Sequence, residues 1–191
     1  MTQPMPGSRV SIYSRVARAL HWTTVALLAV QFPIGVYMVY RGKTLDVWDG
    51  LTGALYGSHK FIGLIVLLVV VWRLGYRLAR GAPPDEPTIE PWQRVASHLT
   101  HVALYGLLVA VPVIGYVGIS LFPALDIFGL FKLPALVAPD KQAAEAVLNL
   151  HGTTALLLAA LVALHVGAAL FHYVVRKDDV LGRMLPGLLR R

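Results

Sequence analysis

The chain contains no cysteine. That absence excludes disulfides, iron–sulfur clusters, thiolate zinc sites and thioether-attached haem, and leaves histidine as the only strong nitrogen ligand. Charge is scarce as well. Asp, Glu, Lys and Arg make up 14% of the residues and hydrophobic residues 57%, where a water-soluble domain carries about 25% charge. Only ten residues are acidic, and none falls inside the long apolar runs. Buried di-iron, zinc or manganese sites of the carboxylate type therefore have no ligands there. Met1 to Ser14 holds no short apolar core followed by a small-residue cleavage site, so no removable leader is expected.

What the chain does have is length in its apolar runs. Four are visible in the 191 residues, at about 19–40, 56–78, 99–122 and 146–175, and each meets the roughly 20 residues that a membrane-spanning helix needs. Pro33 and Pro112 interrupt the first and third runs, which predicts kinks in continuous helices. The expected fold is all-α: one integral membrane four-helix bundle over residues 1–191, up-down-up-down, seated in a lipid bilayer. The net charge of +7 forms no stripe of the kind nucleic acid needs, and no nucleic-acid partner is expected. The basic residues flank the apolar runs, twelve on one side and five on the other. By the positive-inside rule the richer side, with both termini, faces the cytoplasm. The second connection, Gly81–Pro91, is rich in proline and acid and predicts a loop. The third, Pro123–Lys141, predicts a segment along the outer interface, with Phe128 and Phe131 suited to it.

Seven histidines remain to be placed. His151 and His165 lie fourteen residues apart in the fourth run, about 40° short of four full turns, so they share a face. The rise between them is about 21 Å, two-thirds of the hydrocarbon core. Intramembrane histidines are costly and usually functional, and two at two depths suggest two cofactors stacked across the membrane. Two in-line imidazoles suit the axial positions of a haem iron, whereas zinc wants three or four converging ligands. On the outer side His59 is the one other histidine at the depth of His151, so that pair is nearly forced. On the inner side His165 has two candidate partners, His21 and His101, and depth counted from the nearest arginine favours His101. His172 continues the same face, but as a ligand it would put the irons about 31 Å apart, too far for efficient direct electron transfer. Gly57, Gly63, Gly152 and Gly167 lie near these histidines in sequence and could leave room for a flat macrocycle.

Five stretches together resemble a known family: Tyr13-Ser14-Arg15 leading to Leu20-His21-Trp22; His59-Lys60 with Gly63; His98-Leu99-Thr100-His101 followed by Tyr105 and Val111-Pro112-Val113-Ile114-Gly115; Leu150-His151 through His165 to His172; and Lys177-Asp178-Asp179-Val180-Leu181-Gly182-Arg183-Met184-Leu185-Pro186. Nearly the whole chain resembles the bacterial cytochrome b561 family, and within it the superoxide oxidases. The resemblance implies a multi-pass protein of the bacterial inner membrane carrying two haem b groups. It implies His59 with His151 as axial ligands of the outer haem and His21 with His165 of the inner one, against the depth count that favours His101. It further implies oxidoreductase activity, with electrons passing from superoxide to ubiquinone. The alternative is an electron carrier or subunit that links a redox donor protein to the quinone pool. In this reading Lys60, beside His59, could steer superoxide. His98, His101 and His172 could hydrogen-bond or protonate a quinone, and Arg15, Arg18, Arg73 and Arg77 could pair with inner haem propionates.

Overall fold

A computed structural model of the protein describes residues 11–189; Arg9, Arg190 and Arg191 of the charge count lie outside them. Four long helices dominate: α1 (Arg15–Val39), α2 (Gly50–Arg80), α3 (Pro91–Leu121) and α4 (Lys141–Phe171). All four are long and apolar enough to cross a membrane. Each begins several residues before its apolar run, because a polar residue stops it there instead. The Ser14 hydroxyl accepts from the Ala17 N–H, the Asp49 carboxylate from Thr52, and the Asp140 carboxylate from Gln142 and Ala143. Pro91 opens α3 at the first helical position, where its missing N–H costs nothing. These caps satisfy backbone donors that the helix itself leaves unpaired, and they hold the added turns at the polar boundary. Pro33 and Pro112 both sit inside unbroken helices. Two helices end in a π-helical turn, Tyr40–Thr44 after α1 and His172–Arg176 after α4.

In the bundle α1 lies chiefly against α2 and α3 against α4, with α2 against α3 joining the two pairs. The buried core is a narrow aliphatic layer: Val66 and Val70 of α2, Leu104, Leu108 and Val111 of α3, and Leu158 of α4, with Leu27, Leu28 and Phe32 of α1 packed against it. Val66 is seven residues from both His59 and Arg73, and Leu158 is seven from both His151 and His165. The core therefore forms a dry floor between two levels of polar residues. Large side chains such as Leu68, Val102 and Leu156 point outward, as expected where lipid replaces water and tight packing drives helix association.

The loop from Gly81 to Glu90 contains no helix, in line with its prolines. The α3–α4 connection folds as a small antiparallel hairpin, β1 (Asp126–Ile127) with β2 (Phe131–Lys132), paired Asp126 to Lys132 and Ile127 to Phe131. At the opposite end the C-terminal tail turns back under the bundle. Buried Arg183 donates Nε–H to the Ser11 carbonyl and Nη2–H to the Pro84 carbonyl, its own carbonyl accepts from the Tyr13 N–H, and Trp22 Nε1–H reaches the Met184 carbonyl. The two ends of the bundle are called below the hairpin end and the termini end.

Candidate functional site

The helices bring the histidines together at two levels. At the hairpin end His59 of α2 faces His151 of α4, with ring centres 6.0 Å apart and planes at 87°. At the termini end His21 of α1 faces His165 of α4, with centres 6.4 Å apart and planes at 70°. Two imidazoles on opposite sides of one metal ion have ring centres about 6 Å apart, since each metal–nitrogen bond is about 2 Å long. Both pairs have that spacing. His101 of α3 also meets His165, at 5.4 Å, which is shorter than such a trans arrangement. It stands in the termini-end cluster as a third imidazole.

The proton positions at the hairpin end are set by chemistry. His151 Nδ1 lies 2.9 Å from the Val111 carbonyl oxygen. A carbonyl only accepts, so Nδ1 carries the hydrogen and Nε2 presents its lone pair, the tautomer that a metal ligand needs. Gly115 of α3 makes the approach possible, because a Cβ there would lie 2.9 Å from both Cε1 and Nδ1 of His151. Gly35 of α1 plays the same part for His59, whose Cε1 would meet a Cβ at 3.0 Å. His59 Nδ1 is itself buried with no hydrogen-bond partner. At the hairpin end the facing imidazoles, the fixed tautomer of His151 and the orphaned ring nitrogen of His59 fit a haem iron that these two residues would hold between the helices. Among the described residues no group of three or more His, Asp or Glu could hold a bare metal ion.

The glycines near the histidines in sequence do other work. Gly57 makes room for the Phe128 ring, whose atoms a Cβ would meet at 2.7 Å, and Gly63 faces the Gln31 side-chain nitrogen. Gly152 and Gly167 adjoin open space. Gly35 and Gly115, which do abut the rings, belong to the facing helices, and only the local pattern Val111 to Gly115 carried any signal for one of them.

The termini end is basic. Arg73 of α2 donates from Nη2 to His21 Nδ1 at 2.9 Å, and its guanidinium carbon lies 5.3 Å from the centre of the Tyr105 ring. Arg73 and Arg77 line a small cavity of about 50 Å³ with Tyr13, Tyr76, His101 and Tyr105. Arg18 has a buried Nε with no partner, while Arg15 is exposed at the start of α1. Beyond this level His172, in the π-helical turn, lies 2.6 Å from the Asp178 carboxylate, and both side chains are largely buried. The carboxylate oxygen accepts there, so the ring Nδ1–H donates. His98 is far more open and lies 3.3 Å from Asp85 on the surface.

Cations at the hairpin end are already engaged. Lys60 donates from Nζ to the carbonyls of Ala124 and Asp126 and so clasps α2 to the hairpin. It also lines an open cavity of about 390 Å³ with Gly50, Gly53, Ala54, Gly57, Asp126 and Phe128. Arg41 pairs with Asp49 at 2.6 Å and donates Nε–H to Thr52. The Thr52 N–H and then the Arg41 guanidinium hold the Asp49 carboxyl below its ordinary range.

Comparison with known proteins finds relatives over most of the chain. Residues 12–187 match a family model described as prokaryotic cytochrome b561. Cytochrome b561 homolog 2 of Escherichia coli (strain K12) is 32% identical over 174 residues, covering 91% of this chain and 90% of that protein. A probable superoxide oxidase CybB of Yersinia pestis is 25% identical over 175 residues, covering 91% and 96%. Cytochrome b562 of Cereibacter sphaeroides is 29% identical over 173 residues, covering 91% and 94%.

Proposed function

The chain belongs to the prokaryotic cytochrome b561 family of membrane electron-transfer proteins, and from that premise we propose that it binds two haem b groups and oxidises superoxide outside the cell membrane while reducing ubiquinone. The termini end faces the cytoplasm in this reading, in the inner membrane of a bacterium. The observation that carries it is the pair of histidine couples at 6.0 and 6.4 Å, held fourteen residues apart along one face of α4. When bound, haem supplies reversible one-electron chemistry at its iron.

The chain's own residues do the rest. His59 and His151 hold the outer group, and Val111 keeps the His151 lone pair aimed at it. His21 and His165 hold the inner one. Arg18, Arg73 and Arg77 would supply cations to the propionates of a bound haem, with the unpartnered Nε of Arg18 offering a free donor. Lys60 keeps a positive charge beside the outer cavity, because carbonyl acceptors orient an ammonium without neutralising it. His172, with Asp178 behind it, holds a proton at the cytoplasmic end. In balance, two superoxide ions lose one electron each and leave as oxygen. One quinone takes up the two electrons and two cytoplasmic protons and becomes quinol.

Stopped-flow mixing of purified protein with superoxide and a ubiquinone analogue tests the reading. Rapid reduction of the haem absorbance followed by quinol formation is the expected result. An inert haem spectrum overturns the superoxide step. It leaves the second reading, in which a redox donor protein supplies the electrons; the observation on its side is Arg41, already offset by Asp49.

A further inference from the structure

The two histidine levels differ in charge. At the hairpin end Arg41 is offset by Asp49 at 2.6 Å, Lys60 shares its cavity with the acidic Asp126, and His151 leans on a neutral carbonyl. At the termini end Arg73 touches a candidate ligand directly, through Nη2 and His21 Nδ1 at 2.9 Å. Arg77 lines the same cavity, and no acidic side chain does. A guanidinium is always charged, so its field does not vanish with pH. His21 could hold a haem through Nε2 only with its ring proton on Nδ1, where Arg73 could no longer donate to it. The guanidinium, seated over the Tyr105 ring, keeps its charge beside His21.

A fixed positive charge in a low-dielectric site favours the state with one more electron. We propose that Arg73 is a positioning residue that holds the inner haem at the higher midpoint potential, so that electrons run downhill from the His59–His151 level to the His21–His165 level. The proposal rests on the two-haem reading and adds a direction to it. Arg73 would bias a one-electron exchange between the two groups toward the inner one, which gains the electron that the outer one loses. The donor that refills the outer group is superoxide or a redox protein, and the quinone empties the inner group.

The test is a potentiometric titration of the haem absorbance in purified holoprotein, comparing the native chain with Arg73→Gln, Arg73→Lys and His59→Met. Replacing His59 by a thioether ligand moves the outer midpoint positive and so labels it. Arg73→Gln is expected to lower the other midpoint enough to cut the inter-haem equilibrium constant about tenfold, which is about 59 mV for a one-electron couple. Arg73→Lys keeps the charge and is expected to restore most of the difference. If Arg73→Gln fails to load its inner haem, Arg73→Lys decides alone: a near-native midpoint supports the proposal. Equal midpoints in the native chain, no shift in Arg73→Gln, a shift of both midpoints together, or a fully shifted Arg73→Lys would each overturn it. So would loss of the inner haem in both variants, which makes Arg73 a haem-holding group. A native preparation with one haem or none fails the two-haem reading instead, and is recognised by its haem-to-protein ratio.

Discussion

Gly115→Ala is the sharpest single test of how the hairpin-end level is built. The new Cβ would lie 2.9 Å from Cε1 and from Nδ1 of His151, about half an ångström inside ordinary carbon contact. The ring has to move, and the movement strains the 2.9 Å hydrogen bond to the Val111 carbonyl. That bond is what keeps Nε2 unprotonated. Losing an orienting partner of a ligating histidine costs 10–100-fold in metal affinity, or about 1.4–2.8 kcal/mol. The assay is haem titration into apoprotein, read from the Soret band and from the haem-to-protein ratio after gel filtration. One of the two binding phases is expected to weaken by that factor while the other holds. Gly152→Ala is the matched control. It adjoins His151 in sequence but meets nothing within 4 Å, so it should leave both phases intact and stabilise α4 by up to about 1 kcal/mol. Full and equally tight loading of Gly115→Ala would refute the packing argument and the tautomer lock with it.

Three further outcomes are expected. His21→Ala should lose the termini-end haem, and His101→Ala should retain it with a bis-imidazole spectrum; the reverse result would hand the ligand role to His101. Lys60→Glu should slow reaction with superoxide, most strongly at low ionic strength. Lys60→Gln, which breaks the same clasp without reversing the charge, should show a smaller salt effect, and matched salt profiles for native and variant remove Lys60 from steering. Asp49 has a lowered carboxyl pKa, so its contribution to stability is present above the unfolded-state value of 3.8 and is lost as pH falls through the lower folded value. Thermal melts of native and Asp49→Asn protein should therefore differ near neutral pH and converge below pH 3.8; a gap that persists in strong acid contradicts the Arg41–Asp49 pairing.

Much of this architecture was legible in the chain because apolar run length and lone histidines are strong signals in a membrane protein. The four spans follow from the runs alone, and the meeting of His59 with His151 follows from their common depth. Helix ends were less legible: capping at Ser14, Asp49 and Asp140 extends each helix past the point where hydropathy fades. Depth favoured His101 over His21, yet both rings reach His165. Which one lies across from it depends on how α1 and α3 are arranged around α4, and no periodicity within one helix encodes that. The same holds for Gly35 and Gly115, whose importance lies in a ring on another helix. Asp178 reaches His172 only because the chain reverses after the π-helical turn.

The aliphatic floor of Val66, Val70, Leu104, Leu108, Val111 and Leu158 has an electrical consequence. Packed side chains of this kind offer no hydrogen-bonded wire, so no proton can accompany an electron across it. In the proposed orientation each electron crosses about two-thirds of the hydrocarbon thickness alone. It works against an inside-negative voltage at about 1.5 kcal/mol per 100 mV. The protein would then act as a generator whose turnover charges the membrane and whose rate falls as that charge builds. A polar substitution that wets this floor would short-circuit it, leaving the chemistry intact while the voltage dependence disappears.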